Sequence, residues 1–195
     1  MIRIDGSWVE GYAFDMHTIK SIYLGKNESG YHRYENIRTP MGECLFKLKY
    51  RHHKKITSME DIIQKILALL LESDFFKRFI DKMDVIIPAP PSNNRRKLQP
   101  TFLVAKHIAK FFGKEFCYEV LEFKNRHQLK NILYTKRYEK LKDTIAIKTD
   151  FDKDKKILIM DDIIQSGSTL KSIVETFKKN GYNEMYVFTL TKTKR

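Results

Sequence analysis

A chain of 195 residues, 42% hydrophobic and 31% charged, is long enough to bury its own core as one domain with a small appendage, and too apolar to be disordered. Two cysteines, Cys44 and Cys117, exclude a disulfide framework or a self-sufficient four-thiolate zinc site, and they predict a reducing, cytoplasmic setting. No run approaches the roughly 20 apolar residues of a bilayer span, and a net charge of +13 attracts either non-specific nucleic acid or a phosphate-rich small ligand.

Residues 1–55 predict a β-rich hood or subdomain. Short bursts of apolar residues such as Ile2, Ile4, Trp8, Tyr12, Phe14, Ile19 and Ile22 are punctuated by Gly6, Gly11, Gly25 and Gly30. Trp8, Tyr12 and Phe14 fit a core better than a stacking platform. Met41–Tyr50 leans to helix. Residues 56–195 predict an α/β domain. Thr57 and Glu60 have capping-box spacing ahead of Ile62, Ile63, Ile66, Leu67 and Leu70, one face of a helix. Asp84–Pro88 is a short buried strand running into a loop. Thr101 is the expected cap of a helix with Leu103, Val104, Ile108 and Phe111 on one face and Gly113 at its exit. Phe116–Phe123 and Thr144–Ile147 are further strand candidates. Ile157–Met160 has the unbroken apolar character of a parallel strand covered on both sides. Leu170, Ile173, Val174 and Phe177 then form a helical stripe ended by Gly181, and Tyr186–Leu190 is a closing strand. Strands alternating with helices predict a parallel sheet flanked by helices.

Chemistry concentrates between the Ile157–Met160 strand and its helix, in Asp161-Asp162-Ile163-Ile164-Gln165-Ser166-Gly167-Ser168-Thr169. The carboxyl end of a parallel strand is where α/β sheets place ligands. Gly167 allows a tight turn, while Ser166, Ser168 and Thr169 add hydroxyls. The N–H groups and dipole of a helix start attract an anion. No Gly-Lys-Ser/Thr is present, so a nucleoside-triphosphate loop is excluded and a single phosphate fits better. Two adjacent acids call for sugar hydroxyls or Mg²⁺. Each feature alone fits a strand end or a helix cap better than a site; their order together favours a site.

The segment Ile157–Leu170 resembles the signature of class I phosphoribosyltransferases, which use phosphoribosyl pyrophosphate (PRPP). The resemblance implies that Asp161 and Asp162 hold the ribose, with Mg²⁺ engaged directly or indirectly, and that Gln165, Ser166, Gly167, Ser168 and Thr169 hold the 5′-phosphate. Gln165 stands where the family often has Thr. Upstream, Ile86–Ser92 with Arg95, Arg96, Gln99 and Pro100, and the basic stretch 124–137, are similar to ComF-type competence proteins. The four-cysteine zinc ribbon common in that branch is missing. The likeness covers roughly residue 45 onward and implies a pyrophosphate site at Ser92, Arg95 and Arg96, since arginine forks suit phosphate. Lys124, Arg126 and Lys130 fit a solvated surface better than a closing loop.

Three functions follow from these residues. The first is Mg²⁺-dependent transfer of a phosphoribosyl group to an unidentified acceptor. The second is a non-catalytic sensor of PRPP or a ribose 5-phosphate compound. The third is a ComF-like accessory role in DNA uptake or processing. A homodimer is compatible with all three. The histidines, including His52-His53 among Arg51, Lys54 and Lys55, show no metal-binding spacing. Asp15-Met16-His17-Thr18 could place polar groups over the sugar if the N-terminal region acts as a lid.

Overall fold

The sheet is built around the most apolar strands. In the computed structural model, which describes residues 1–50, 58–91, 99–123, 144–149 and 152–194, β1 (Ile2–Arg3), β2 (Glu10–Met16), β5 (Val85–Pro88), β6 (Glu115–Phe116), β9 (Ile157–Ile164) and β10 (Met185–Lys192) form one sheet. Its order is β1-β2-β10-β9-β5-β6. All pairings are parallel except β1 with β2. The predicted parallel sheet with flanking helices is therefore observed. Central β9 has neighbours on both edges, with Ile159 opposite Val187 and Ile87. Two small antiparallel pairs lie outside this sheet: β3 (Thr18–Lys26) with β4 (His32–Arg38), and β7 (Leu121–Phe123) with β8 (Ile145–Ile147).

Alternation along the strands divides the core in two. On one side Leu158, Met160, Phe188 and Leu190 pack with α1 (Pro40–Tyr50), α2 (Met59–Leu71), α3 (Asp74–Asp81) and α4 (Pro100–Phe112). On the other, Ile157, Ile159 and Val187 pack with Leu170, Ile173, Val174 and Phe177 of a fifth helix, α5 (Ser168–Lys179). Burying each such side chain contributes roughly 1.5–3 kcal/mol, so this double coverage is what fixes β9 and the loop that follows it. Trp8 is buried, and Tyr12 and Phe14 pack against the core, as expected of core residues.

The first fifty residues serve several layers. β1 and β2 extend the main sheet beside β10, and α1 enters the core through Met41, Leu45 and Leu48. The β3–β4 ribbon exposes Tyr23, Tyr31 and Tyr34.

Three local expectations shift. The capping box is Ser58 with Asp61: the Asp61 amide donates to Ser58 Oγ and the Ser58 amide to Asp61 Oδ2, each at 3.1 Å. Glu60 instead accepts from Gln64 at 2.9 Å. Thr101 is not a cap either, because α4 opens on Pro100 with Gln99 at the N-cap. The expected strand over Phe116–Phe123 divides into β6 and β7, which belong to different sheets. No helix among the described residues is long and apolar enough to cross a membrane.

Candidate functional site

β9 continues past its apolar run, so Asp161 and Asp162 are its fifth and sixth residues rather than part of the following loop. Asp161 lies in register with Thr189 of β10. The chain then crosses Gln165 and Ser166 to Gly167, whose φ of 74° and ψ of 2° lie in the left-handed region. A side chain there would be strained, at about 1 kcal/mol or more, even though a Cβ would make only ordinary contact with Ile164. This turn starts α5 at Ser168 with no side-chain cap from the N-cap position. Ser166 Oγ and Ser168 Oγ lie 2.9 Å apart, and the Ser168 amide reaches Ser166 Oγ at 3.4 Å. Gln165 is exposed, Ser166, Gly167 and Thr169 are half-buried, and Ser168 is buried. The arrangement presents hydroxyls and a positive helix end beside two carboxylates.

The carboxylates are not equivalent. Asp162 Oδ2 is 2.7 Å from Lys49 Nζ in the last turn of α1, and the two side chains are only 13% and 15% exposed. The Asp162 amide donates to Asp161 Oδ1 at 2.8 Å. Burial, followed by the Asp162 charge, pushes the Asp161 carboxyl well above the usual carboxylate range; the Asp162 amide, Lys49 and the Thr101 hydroxyl oppose that shift. His17 stands close by, with Nδ1 at 3.1 Å from Thr191 Oγ1. Burial and then the charges of Arg38 and Lys49 push its imidazole below its ordinary value, against the pull of Asp162.

Lys49, Thr101 and Thr191 are thus neighbours of the acid pair that the phosphate-loop motif does not include. Lys49 stands in an amphipathic helix as an ordinary basic residue near a C-terminus, and nothing in its spacing points to β9. His17, one of the groups expected over the sugar if the N-terminal region acts as a lid, lies beside Asp162 and Thr191. Ser92, Arg95 and Arg96, and the basic stretch from Lys124, lie outside the described residues.

The residues present do not fit a dedicated Mg²⁺ site. Mg²⁺ takes hard anionic oxygens and water in octahedral geometry. Here one of the two carboxylates already carries an ammonium. No group of three or more His, Cys, Asp or Glu among the described residues could hold a metal.

No family model matches the chain, and no curated protein matches it. Among solved structures, a purine phosphoribosyltransferase from Pyrococcus horikoshii Ot3 is similar at 21% identity and a TM-score of 0.41, over 67% of this chain and 82% of that one.

Proposed function

We propose that the chain is a phosphoribosyltransferase-like protein that binds PRPP or another ribose 5-phosphate compound at Asp161–Thr169. One observation carries this reading: five residues after the strand-borne acid pair, a left-handed Gly167 launches a helix whose N-cap position supplies no side-chain cap, at the carboxyl edge of a central parallel strand. A 5′-phosphate would accept hydrogen bonds from the α5 amides and from the hydroxyls of Ser166, Ser168 and Thr169. Ribose hydroxyls would donate to Asp161 and Asp162. In a transfer reaction the acceptor's electron pair forms the new bond at the anomeric carbon. The anomeric C–O bond breaks, and pyrophosphate leaves with its electrons. Protein groups accelerate this by stabilising charge on the leaving group. Asp161 and Asp162 would fix the ribose for that displacement, and the phosphate loop would anchor it at the other end.

The sensor reading is supported by a different observation. Residues 88–91 at the exit of β5 offer no spare backbone donor. Pro88, Pro90 and Pro91 have no N–H, and the Ala89 amide is spent on Met160 O at 2.7 Å. Leaving-group stabilisation would then depend on Arg95 and Arg96. A screen of nucleobase and amine acceptors, scored by pyrophosphate release from PRPP, separates the two readings. For a transferase, Arg95→Ala/Arg96→Ala should cut turnover while leaving ribose 5-phosphate affinity almost unchanged. Turnover insensitive to that double change would contradict the leaving-group assignment. For a sensor, PRPP binds and no acceptor releases pyrophosphate above background.

A further inference from the structure

The misfit between the acid pair and Mg²⁺ has a structural cause, and that cause is Lys49. Its ammonium occupies an oxygen of Asp162 at 2.7 Å, in a contact largely shielded from water. Its position is set by the mount of α1. Gly42 lies so close to the His17 carbonyl that a Cβ would stand 2.1 Å from that oxygen. Thr39 Oγ1 donates to Met16 O at 2.6 Å and accepts from the Gly42 amide at 3.0 Å. Arg38 adds a second cation on this wall, its guanidinium 3.7 Å from the Phe46 ring centre and its Nη1 3.6 Å from Glu43. A divalent ion brought to Asp162 would meet the ammonium at close range and be repelled. An ammonium keeps three donors, so with one on Asp162 it has others to offer ligand oxygens.

We propose that Lys49 is the resident cation of this site, neutralising Asp162 and contacting the ligand, so that PRPP is bound without a divalent ion. This rests on the ribose-phosphate reading given above. It makes Lys49 a binding residue supplied by α1, far in sequence from the phosphate loop.

Calorimetry on the full chain tests it, with PRPP and ribose 5-phosphate each titrated in EDTA and in excess MgCl₂. The expected result is PRPP affinity in EDTA within about twofold of that in Mg²⁺. Lys49→Met, which keeps the volume of the stem, should weaken PRPP in EDTA by about tenfold or more, the loss expected for a charge-assisted hydrogen bond. Mg²⁺ should then restore part of that loss by taking the vacated carboxylate oxygen, a rescue that a purely structural lysine would not produce. If Lys49→Met fails to fold, Lys49→Arg keeps the charge with a different donor geometry, and should still bind PRPP in EDTA. Ribose 5-phosphate bound in EDTA with PRPP bound only in Mg²⁺ would overturn the inference and leave the functional reading standing. So would wild-type affinity in folded Lys49→Met, or PRPP binding by Lys49→Arg only when Mg²⁺ is present. Failure of either ligand to bind under any condition would overturn the functional reading, and this inference with it.

Discussion

Two adjacent aspartates differ in their surroundings: Asp162 is in direct contact with a cation, and Asp161 is hydrogen-bonded by amide and hydroxyl donors. Asp162 is paired with Lys49, whereas Asp161 is pushed toward its neutral form by burial and by Asp162 itself. The consequence for stability has a definite sign. A carboxyl whose pKa is raised on folding contributes stability that is fully present below its unfolded value, near 3.8, and is lost as pH rises through the raised value. Asp161→Asn should therefore match the wild type in melting temperature under acid conditions. It should become progressively more stable than the wild type as pH rises toward neutrality and beyond. Thermal unfolding of both proteins across that range checks this, and a difference independent of pH would contradict the assigned environment of Asp161. The identity of both acids and of Ser166–Thr169 was legible in the sequence because local spacing carries it. The partner of Asp162 was not, since a lysine in a helix gives no signal of which distant strand it reaches.

At the level of elements, legibility follows how local the determining contacts are. Ile157–Met160 has the unbroken apolar run typical of a doubly covered strand, and Leu170, Ile173, Val174 and Phe177 have the spacing of one helical face; the structure has β9 and α5 there. The Thr57/Glu60 spacing predicts the helix start one residue early, because Ser58/Asp61 satisfies the same spacing. The choice between them rests on geometry that composition does not carry. The division of Phe116–Phe123 depends on tertiary pairing with β5 and β8, which local alternation cannot reveal. The seat of α1 is another tertiary feature, and it makes Gly42 a sensitive position. Gly42→Ala forces the helix away from the His17 carbonyl. It should lower stability by roughly 1–3 kcal/mol, the cost of overpacking a tight contact. Because Lys49 rides on the same helix, it should also weaken ligand binding. Denaturant unfolding paired with a PRPP titration reads both effects; a variant of unchanged stability would contradict the close approach.

Over the whole molecule, a mostly parallel sheet offers its carboxyl edge as the place for a ligand, and β9, near the middle, carries the acids there. The excess of positive charge would concentrate a phosphate-bearing ligand near that edge before any contact forms. Lys49 and Arg38 extend the same field to the wall built by the first fifty residues, so the N-terminal region supplies charge to the site. The central claim is that ribose-phosphate recognition is performed by the acid pair and the α5 N-terminus together. Its most direct test is calorimetric titration of ribose 5-phosphate into the wild type and into Asp161→Asn/Asp162→Asn, with circular dichroism showing that both are folded. The account predicts saturable binding by the wild type and a loss of about tenfold or more in the double variant, the scale of one charge-assisted hydrogen bond from a sugar hydroxyl. Equal affinity in the two folded proteins would contradict it.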